Sequence, residues 1–252
     1  MANILDQLIT LSNNLGDPAN DYVILGEGNT SAKVDDQSFW VKASGTHLRT
    51  IGPPGFVQVY FEPILDLLAG PNLSDEQVKQ ALTAAKVDPA APGHPSVETA
   101  MHAAILSLPG INFVGHTHPS AINMITCSAA FETAVNSRIF PDEIVLCGPA
   151  PVTVPYVDPG LPLAREIKQQ IDLYIDNYGE LPKVILLQNH GFVALAATAQ
   201  QVENITAMAV KAARILVGAY ALGGPHFLSA AVIDRIHTRP DEHYRQQILG
   251  LR

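Results

Sequence analysis

The apolar positions of this chain change period several times along its length. Near the start, Ile4, Leu5, Leu8, Ile9, Leu11 and Leu15 recur at helical spacing. They predict an amphipathic helix over 2–15, ended by Gly16 and Pro18. Shorter runs separated by glycine-bearing turns predict strands at 22–25, 30–34, 38–42 and 57–61. Ser74 is placed to cap a helix over 74–86, with Glu76 in its first turn. The segment 87–95 holds three prolines and a glycine and reads as a loop. A helix over 96–107, a strand over 111–116 and a mostly helical stretch over 119–137, opened by Pro119, follow. Strands are expected near 143–147 and 151–155, a helix over about 162–177, and a strand over 184–187. The strongest amphipathic pattern covers 199–221, with Val202, Ile205, Val210, Ala213 and Leu216 toward the core. Two shorter helical pieces end the chain. Strands and helices intermingle without a regular βαβ rhythm. That predicts a single α/β domain over 1–252, with a central mixed or antiparallel β-sheet flanked by helices on both faces.

Composition narrows the class. Hydrophobic residues make up 47% of the 252, enough to build a sizeable core. The formal net charge of -9 argues against a nucleic-acid surface and against an anionic membrane. No stretch reaches the roughly 20 apolar residues of a membrane span, and the N-terminus lacks a signal-peptide pattern. The two cysteines, Cys127 and Cys147, are expected to be reduced and packed in the interior. Together these features predict a cytoplasmic enzyme with a small-molecule substrate.

Three histidines carry the chemistry. His116 and His118 stand two apart at the end of an apolar strand, so their side chains project to one face. His190 follows a second apolar strand, Val184–Leu187, and precedes Gly191. Three neutral imidazoles with a position left open make the ligand set of a catalytic divalent metal. A structural zinc site would be closed by four ligands, usually including cysteine.

Two small-residue clusters mark strand ends: Gly26-Glu27-Gly28-Asn29-Thr30-Ser31 and Lys42-Ala43-Ser44-Gly45-Thr46-His47. Such turns bring backbone amides and hydroxyl donors to an anion, and Lys42 adds charge. Taken singly, each reads equally well as an ordinary β-turn. Neither is a dinucleotide fingerprint or a Walker loop. A third cluster, His94-Pro95-Ser96-Val97-Glu98, opens a helix that Ser96 can cap, with Glu98 in the first turn. A carboxylate beside a metal serves as ligand or general base. His102, one turn on from Glu98, either hydrogen-bonds it or sits in the core.

In this order, Gly28-Asn29, Ser44-Gly45-Thr46, Pro95-Ser96-Val97-Glu98, His116-Thr117-His118-Pro119 and Asn189-His190-Gly191 resemble the class II aldolase/adducin-like family over about residues 4–220. The wording Leu25-Gly26-Glu27-Gly28-Asn29-Thr30-Ser31 is most similar to the aldolase part of bifunctional rhamnulose-phosphate aldolase/dehydrogenases, although no dehydrogenase domain is expected among these residues. The resemblance implies a zinc site from His116, His118 and His190, with manganese, cobalt or magnesium as alternatives. It implies Glu98 as acid/base and occasional fourth ligand. It implies phosphate contacts at Asn29, Ser44, Gly45 and Ser96, and a homotetramer with sites between subunits. Val97 stands where the family carries a second serine, which removes one hydroxyl donor. The family's proton-donating tyrosine has no counterpart in Ser137-Arg138-Ile139-Phe140, which leaves Tyr156 as the candidate. The implied activity is retro-aldol cleavage of a sugar phosphate or sugar acid through a metal-stabilised enediolate. A decarboxylase, 4-epimerase or dehydratase on the same scaffold stays open, as does a non-catalytic adducin-like module. Adducin-type heads lack the metal histidines, which this chain retains.

Overall fold

Helix α1 (Ile4–Leu15) starts at Asn3, whose side chain accepts a hydrogen bond from the Leu5 amide. It stops where Gly16 lies against the backbone of Leu48 and Arg49, too close for any side chain. The chain then forms β1 (Asn29–Lys33), β2 (Ser38–Lys42), β3 (Phe56–Tyr60), α2 (Phe61–Ala69), α3 (Asp75–Ala84), α4 (Thr99–Leu106) and β4 (Phe113–Thr117). Three short helices follow: α5 (Ser120–Thr126), α6 (Phe131–Ala134) and α7 (Pro141–Cys147). Next come β5 (Val152–Val154), α8 (Leu161–Tyr178), β6 (Val184–Leu187), β7 (Gly191–Ala196), α9 (Ala199–Ala221), α10 (Ala230–His237) and α11 (Pro240–Ile248). This computed structural model describes residues 3–248. The outermost residues of the expected domain, including the first residue of the expected N-terminal helix, lie outside the described residues.

The strands form one sheet in the order β3-β2-β1-β4-β7-β6-β5. Every neighbouring pair is antiparallel except β5 and β6, so the sheet is mixed. Successive strand residues point to opposite faces, and here both faces are apolar. Val114, Ile185, Leu187, Val193 and Leu195 join one core with Ile64 of α2, Met101 and Ile105 of α4, and Ile167 of α8. Phe113, Val184, Leu186, Phe192 and Ala194 join the other with Leu8 and Leu11 of α1, Ile122 of α5, and Val202 and Ile205 of α9. Helices on both faces explain why these strands read as unbroken apolar runs. No helix among the described residues is long and apolar enough to cross a membrane.

Several expectations need correction. Residues 22–25 form no strand; Leu25 has a left-handed backbone (φ 51) and Glu27 N–H bonds back to the Ile24 carbonyl, making a turn. Residues 143–147 are helical, not extended. Pro141 opens α7, and Gly148, at φ 79, ends it. The apolar run between them is too short to reveal its period. The 119–137 stretch breaks into α5 and α6. Strand β7 and helix α2 were not anticipated. Cys127 is exposed rather than packed, whereas Cys147 is buried and its thiol is pushed up to about 12 by burial. Helix α4 begins at Thr99, so Glu98 is the residue preceding it rather than part of its first turn.

Gly115, in the middle of β4, marks where α1 and α9 approach the sheet. A Cβ there would lie 2.8 Å from Val202 Cγ1 and 2.9 Å from Leu15 Cδ1. Gly115→Val is expected to destabilise the fold by about 1–3 kcal/mol through overpacking. The urea midpoint should fall with the slope unchanged; an unmoved midpoint would contradict this close seating of both helices.

Candidate active site

Strand register assembles the site. Asn29 pairs with His116, and Ser31 with Val114, across β1 and β4. Residues two apart share a face, so Asn29, Ser31 and His116 all point toward the side covered by α4. His118 lies just past the end of β4, where its amide bonds to the Tyr22 carbonyl at 2.9 Å. His190 sits in the tight turn between β6 and β7. That turn is made by Asn189 in the left-handed region (φ 53) and by a His190 N–H bond to the Leu187 carbonyl. Asparagine tolerates this backbone better than most residues. Asn123 steadies the turn from α5 by donating to the His190 carbonyl at 3.2 Å.

Glu98 enters from the opposite side, where the chain turns into α4. Its own amide donates to Ser96 Oγ at 3.3 Å, and its carbonyl accepts from the His102 amide at 3.2 Å. The side chain is free to face the histidines. Glu98 Oε2 lies 3.4 Å from His116 Nε2, and Oε1 lies 3.3 Å from His190 Nε2. His116 Nε2 and His118 Nε2 are 3.1 Å apart. Donors around a tetrahedral ion with metal–nitrogen bonds of 2.0–2.1 Å stand about 3.3–3.4 Å apart. The candidate metal-ligating nitrogens of the three histidines lie within 4.8 Å of one another.

The proton positions favour the same use. His116 Nδ1 lies 3.0 Å from the Phe192 carbonyl, which only accepts, so Nδ1 carries the hydrogen and Nε2 keeps its lone pair. Burial holds His116 below its ordinary range and, with the nearby His116 and His190, pulls His118 down to about 3. Neutral imidazoles are what a divalent ion requires. Burial disfavours the Glu98 carboxylate, whereas any positive charge at His116 and the hydrogen bonds offered by His190 and Asn29 favour it, so the group is held below the usual carboxylate range. His116, His118 and His190, with Glu98 beside them, thus fit a divalent metal.

Of the remaining candidates, Asn29 and Ser96 lie beside Glu98. Asn29 Nδ2 donates to Glu98 Oε2 at 2.6 Å and to Ser96 Oγ at 3.4 Å. Both of its amide hydrogens are therefore engaged with protein groups. The Ser44 amide bonds to the His94 carbonyl at 2.9 Å, and Ala43 bridges to Pro95, which brings the Ser44-Gly45 turn against the segment carrying Ser96. Ser44 and Gly45 are exposed, and Gly45 has φ 79. Lys42 is buried, donates to the Gly26 carbonyl at 3.1 Å, and ties the two glycine turns together. Arg138 does not reach the site; it is buried against Glu143 and the carbonyls of Cys147 and Gly148. Tyr156 is exposed and bonds to Asp158. Sequence reasoning missed Asn123 and the Phe192 carbonyl, which carry no motif of their own.

The family described as Class II Aldolase and Adducin N-terminal domain matches residues 7–217. The chain belongs to this family. A Bacillus subtilis (strain 168) protein named "Uncharacterized oxidoreductase YuxG" is 31% identical over 206 residues. That match covers 78% of this chain but only 27% of the relative. The chain thus spans about a quarter of the curated relative it matches. The N-terminal class II aldolase domain of a conserved protein from Thermoplasma acidophilum superposes with a TM-score of 0.67 at 27% identity, covering 86% of this chain and 95% of that one. An L-fuculose 1-phosphate aldolase superposes with a TM-score of 0.68 at 18% identity, covering 97% and 98%. At that identity the second likeness speaks for the fold.

Gly191 sits where the histidine rings meet. A Cβ there would lie 2.5 Å from His118 Cδ2 and 2.8 Å from the Thr117 carbonyl. Gly191→Ala is expected to weaken zinc uptake by about 10- to 100-fold, as displaced supports of metal ligands do. Competition against a chelating dye measures this, and wild-type affinity would contradict the close contact. A pH effect follows from the buried imidazoles. His102 and His118 are both held near 3, chiefly by burial, against an ordinary 6.5. Once unfolded they take up protons below 6.5, whereas the folded forms do not. Their contribution to stability is therefore complete above 6.5 and is lost progressively as pH falls toward 3. The metal-free protein should melt at a lower temperature at about pH 5 than at pH 7. His102→Gln should flatten that drop, and an identical drop in the variant would contradict it.

Proposed function

We propose that this protein is a divalent-metal-dependent aldolase that cleaves a sugar phosphate or sugar acid to a ketone and an aldehyde. The observation that carries the reading is the meeting of His116, His118 and His190 with the Glu98 carboxylate, at 3.1 to 3.4 Å between neighbouring donors. The ligands are His116, His118 and His190, and zinc suits the imidazole set best. When bound, the ion supplies Lewis-acid stabilisation of negative charge on the substrate oxygens.

The chain's own groups do the rest. Glu98 moves the proton at the carbon next to the carbonyl, delivering it in cleavage and removing it in synthesis. Ser44, Gly45 and Ser96 hold the anionic end of the substrate. Asn29 serves the pocket through Glu98 and Ser96 rather than by facing the anion directly. Val97 is 60% exposed where a second hydroxyl donor would stand, and this supports tolerance of substrates without phosphate. Ile24, Leu25, Val97 and Met124 are all exposed apolar residues in segments flanking the site, which supports a homo-oligomer, a tetramer by family, whose subunits cover this rim.

The experiment combines metal analysis with deuterium exchange into dihydroxyacetone phosphate and its unphosphorylated form. His116→Ala, His118→Ala and His190→Ala are each expected to lose metal and exchange while retaining the fold. Glu98→Gln should keep the metal and slow exchange by about 100- to 10,000-fold. Wild-type exchange in Glu98→Gln would remove Glu98 from the proposed role. Purified protein that takes up no metal would favour a non-catalytic binding module.

A further inference from the structure

His102 is fully buried on α4, one turn beyond Glu98. Its Nδ1 lies 2.6 Å from Ser31 Oγ, and its Nε2 is hydrogen-bonded to Asn29 Oδ1. On its far side, Asn29 Nδ2 lies 2.6 Å from Glu98 Oε2. The four groups form one chain, and hydrogen-bond chemistry fixes its direction. A carboxylate only accepts, so Asn29 must turn its NH2 to Glu98 and its Oδ1 to His102. That oxygen also only accepts, so His102 must carry its hydrogen on Nε2. Its Nδ1 is then a lone pair, and the Ser31 hydroxyl must donate to it. The strand register makes this contact available, because Asn29 and Ser31 point from β1 to the same side, where α4 lies.

We propose that His102 is a positioning residue, which locks the Asn29 amide so that Asn29 holds the Glu98 carboxylate in the orientation that moves the substrate's proton. Without the Nε2 donor, the Asn29 amide loses the one anchor that Oδ1 has among the described residues and can turn that oxygen toward the carboxylate, where the two repel. The proposal rests on the reading of Glu98 as the proton-moving group, and it assigns Asn29 to the rate of proton transfer rather than to anion affinity.

The first test needs neither substrate nor variant. Long-range 1H–15N correlation of the imidazoles in uniformly 15N-labelled protein reads the tautomer of His102. Hydrogen on Nε2 is expected; hydrogen on Nδ1 overturns the proposal. The second test uses His102→Gln, whose amide reaches toward the Nε2 position, and His102→Asn, which reaches only toward Nδ1. The Asn29 side-chain amide signals should stay near wild type in His102→Gln and move in His102→Asn and His102→Met. Deuterium exchange into dihydroxyacetone phosphate should slow by about 10- to 100-fold in the Asn and Met variants, with KM and bound metal unchanged. His102→Gln should recover most of the rate. Equal behaviour of Gln and Asn, or a raised KM at unchanged kcat, overturns the proposal. If the wild-type protein exchanges no deuterium, the aldolase reading fails, and the tautomer and the Asn29 signals still decide whether His102 positions Glu98.

Discussion

A carboxylate placed at the buried end of a β-sheet is the constraint around which this molecule is arranged. Leaving an ionised group in such a place without partners costs several kcal/mol. Glu98 is only 7% exposed, and its two oxygens are shared among His116, His190 and Asn29. Each of those partners is fixed in turn. His116 is held by the Phe192 carbonyl, the turn carrying His190 by Asn123, and Asn29 by His102. The supports come from β7, α4 and α5, elements well separated along the chain. Under the proposed reading, groups held in place this way before substrate arrives are what proton transfer at a defined carbon needs.

The layout also separates two tasks. The imidazoles hang from β4 and the β6–β7 turn, while the exposed Ser44 and Gly45 and the half-buried Ser96 belong to β2's outgoing turn and the approach to α4. Glu98 lies between them. Under the proposed reading, changes to these turns alter what is bound without disturbing the donor set.

Much of the site was legible in the sequence because its members stand at strand ends next to turn residues. The spacing of His116 and His118 gave their common face, and Gly191 beside His190 marked a tight turn. The fold class followed from apolar runs mixed with helical patterns. Two of the misread elements share one cause. Phe192-Val193-Ala194-Leu195 and Ile144-Val145-Leu146-Cys147 are both short unbroken apolar runs, and such runs show neither a period of 2 nor one of 3.6. One became a strand and the other a helix because of what flanks them: pairing with β4 on one side, Pro141 and Gly148 on the other. The relay through His102 was out of reach, since Ser31 and Asn29 are 71 and 73 residues from it and nothing local links them.

The pairing of Asn29 with His116 carries a consequence for folding. A slip of one residue between β1 and β4 would turn the whole of β1 over. Thr30 would then face α4, and Asn29 and Ser31 would be pressed against Leu8 and Leu11. The slipped arrangement would strand two polar side chains in an apolar layer, take Asn29 from Glu98, and take Asn29 and Ser31 from His102. Ser12 already guards the correct arrangement, because its hydroxyl meets Thr30 at 2.6 Å on the α1 side. The polar groups of the site thus act as a register key. They make misaligned strand pairings unfavourable in a sheet whose two oily faces would otherwise accept either alignment.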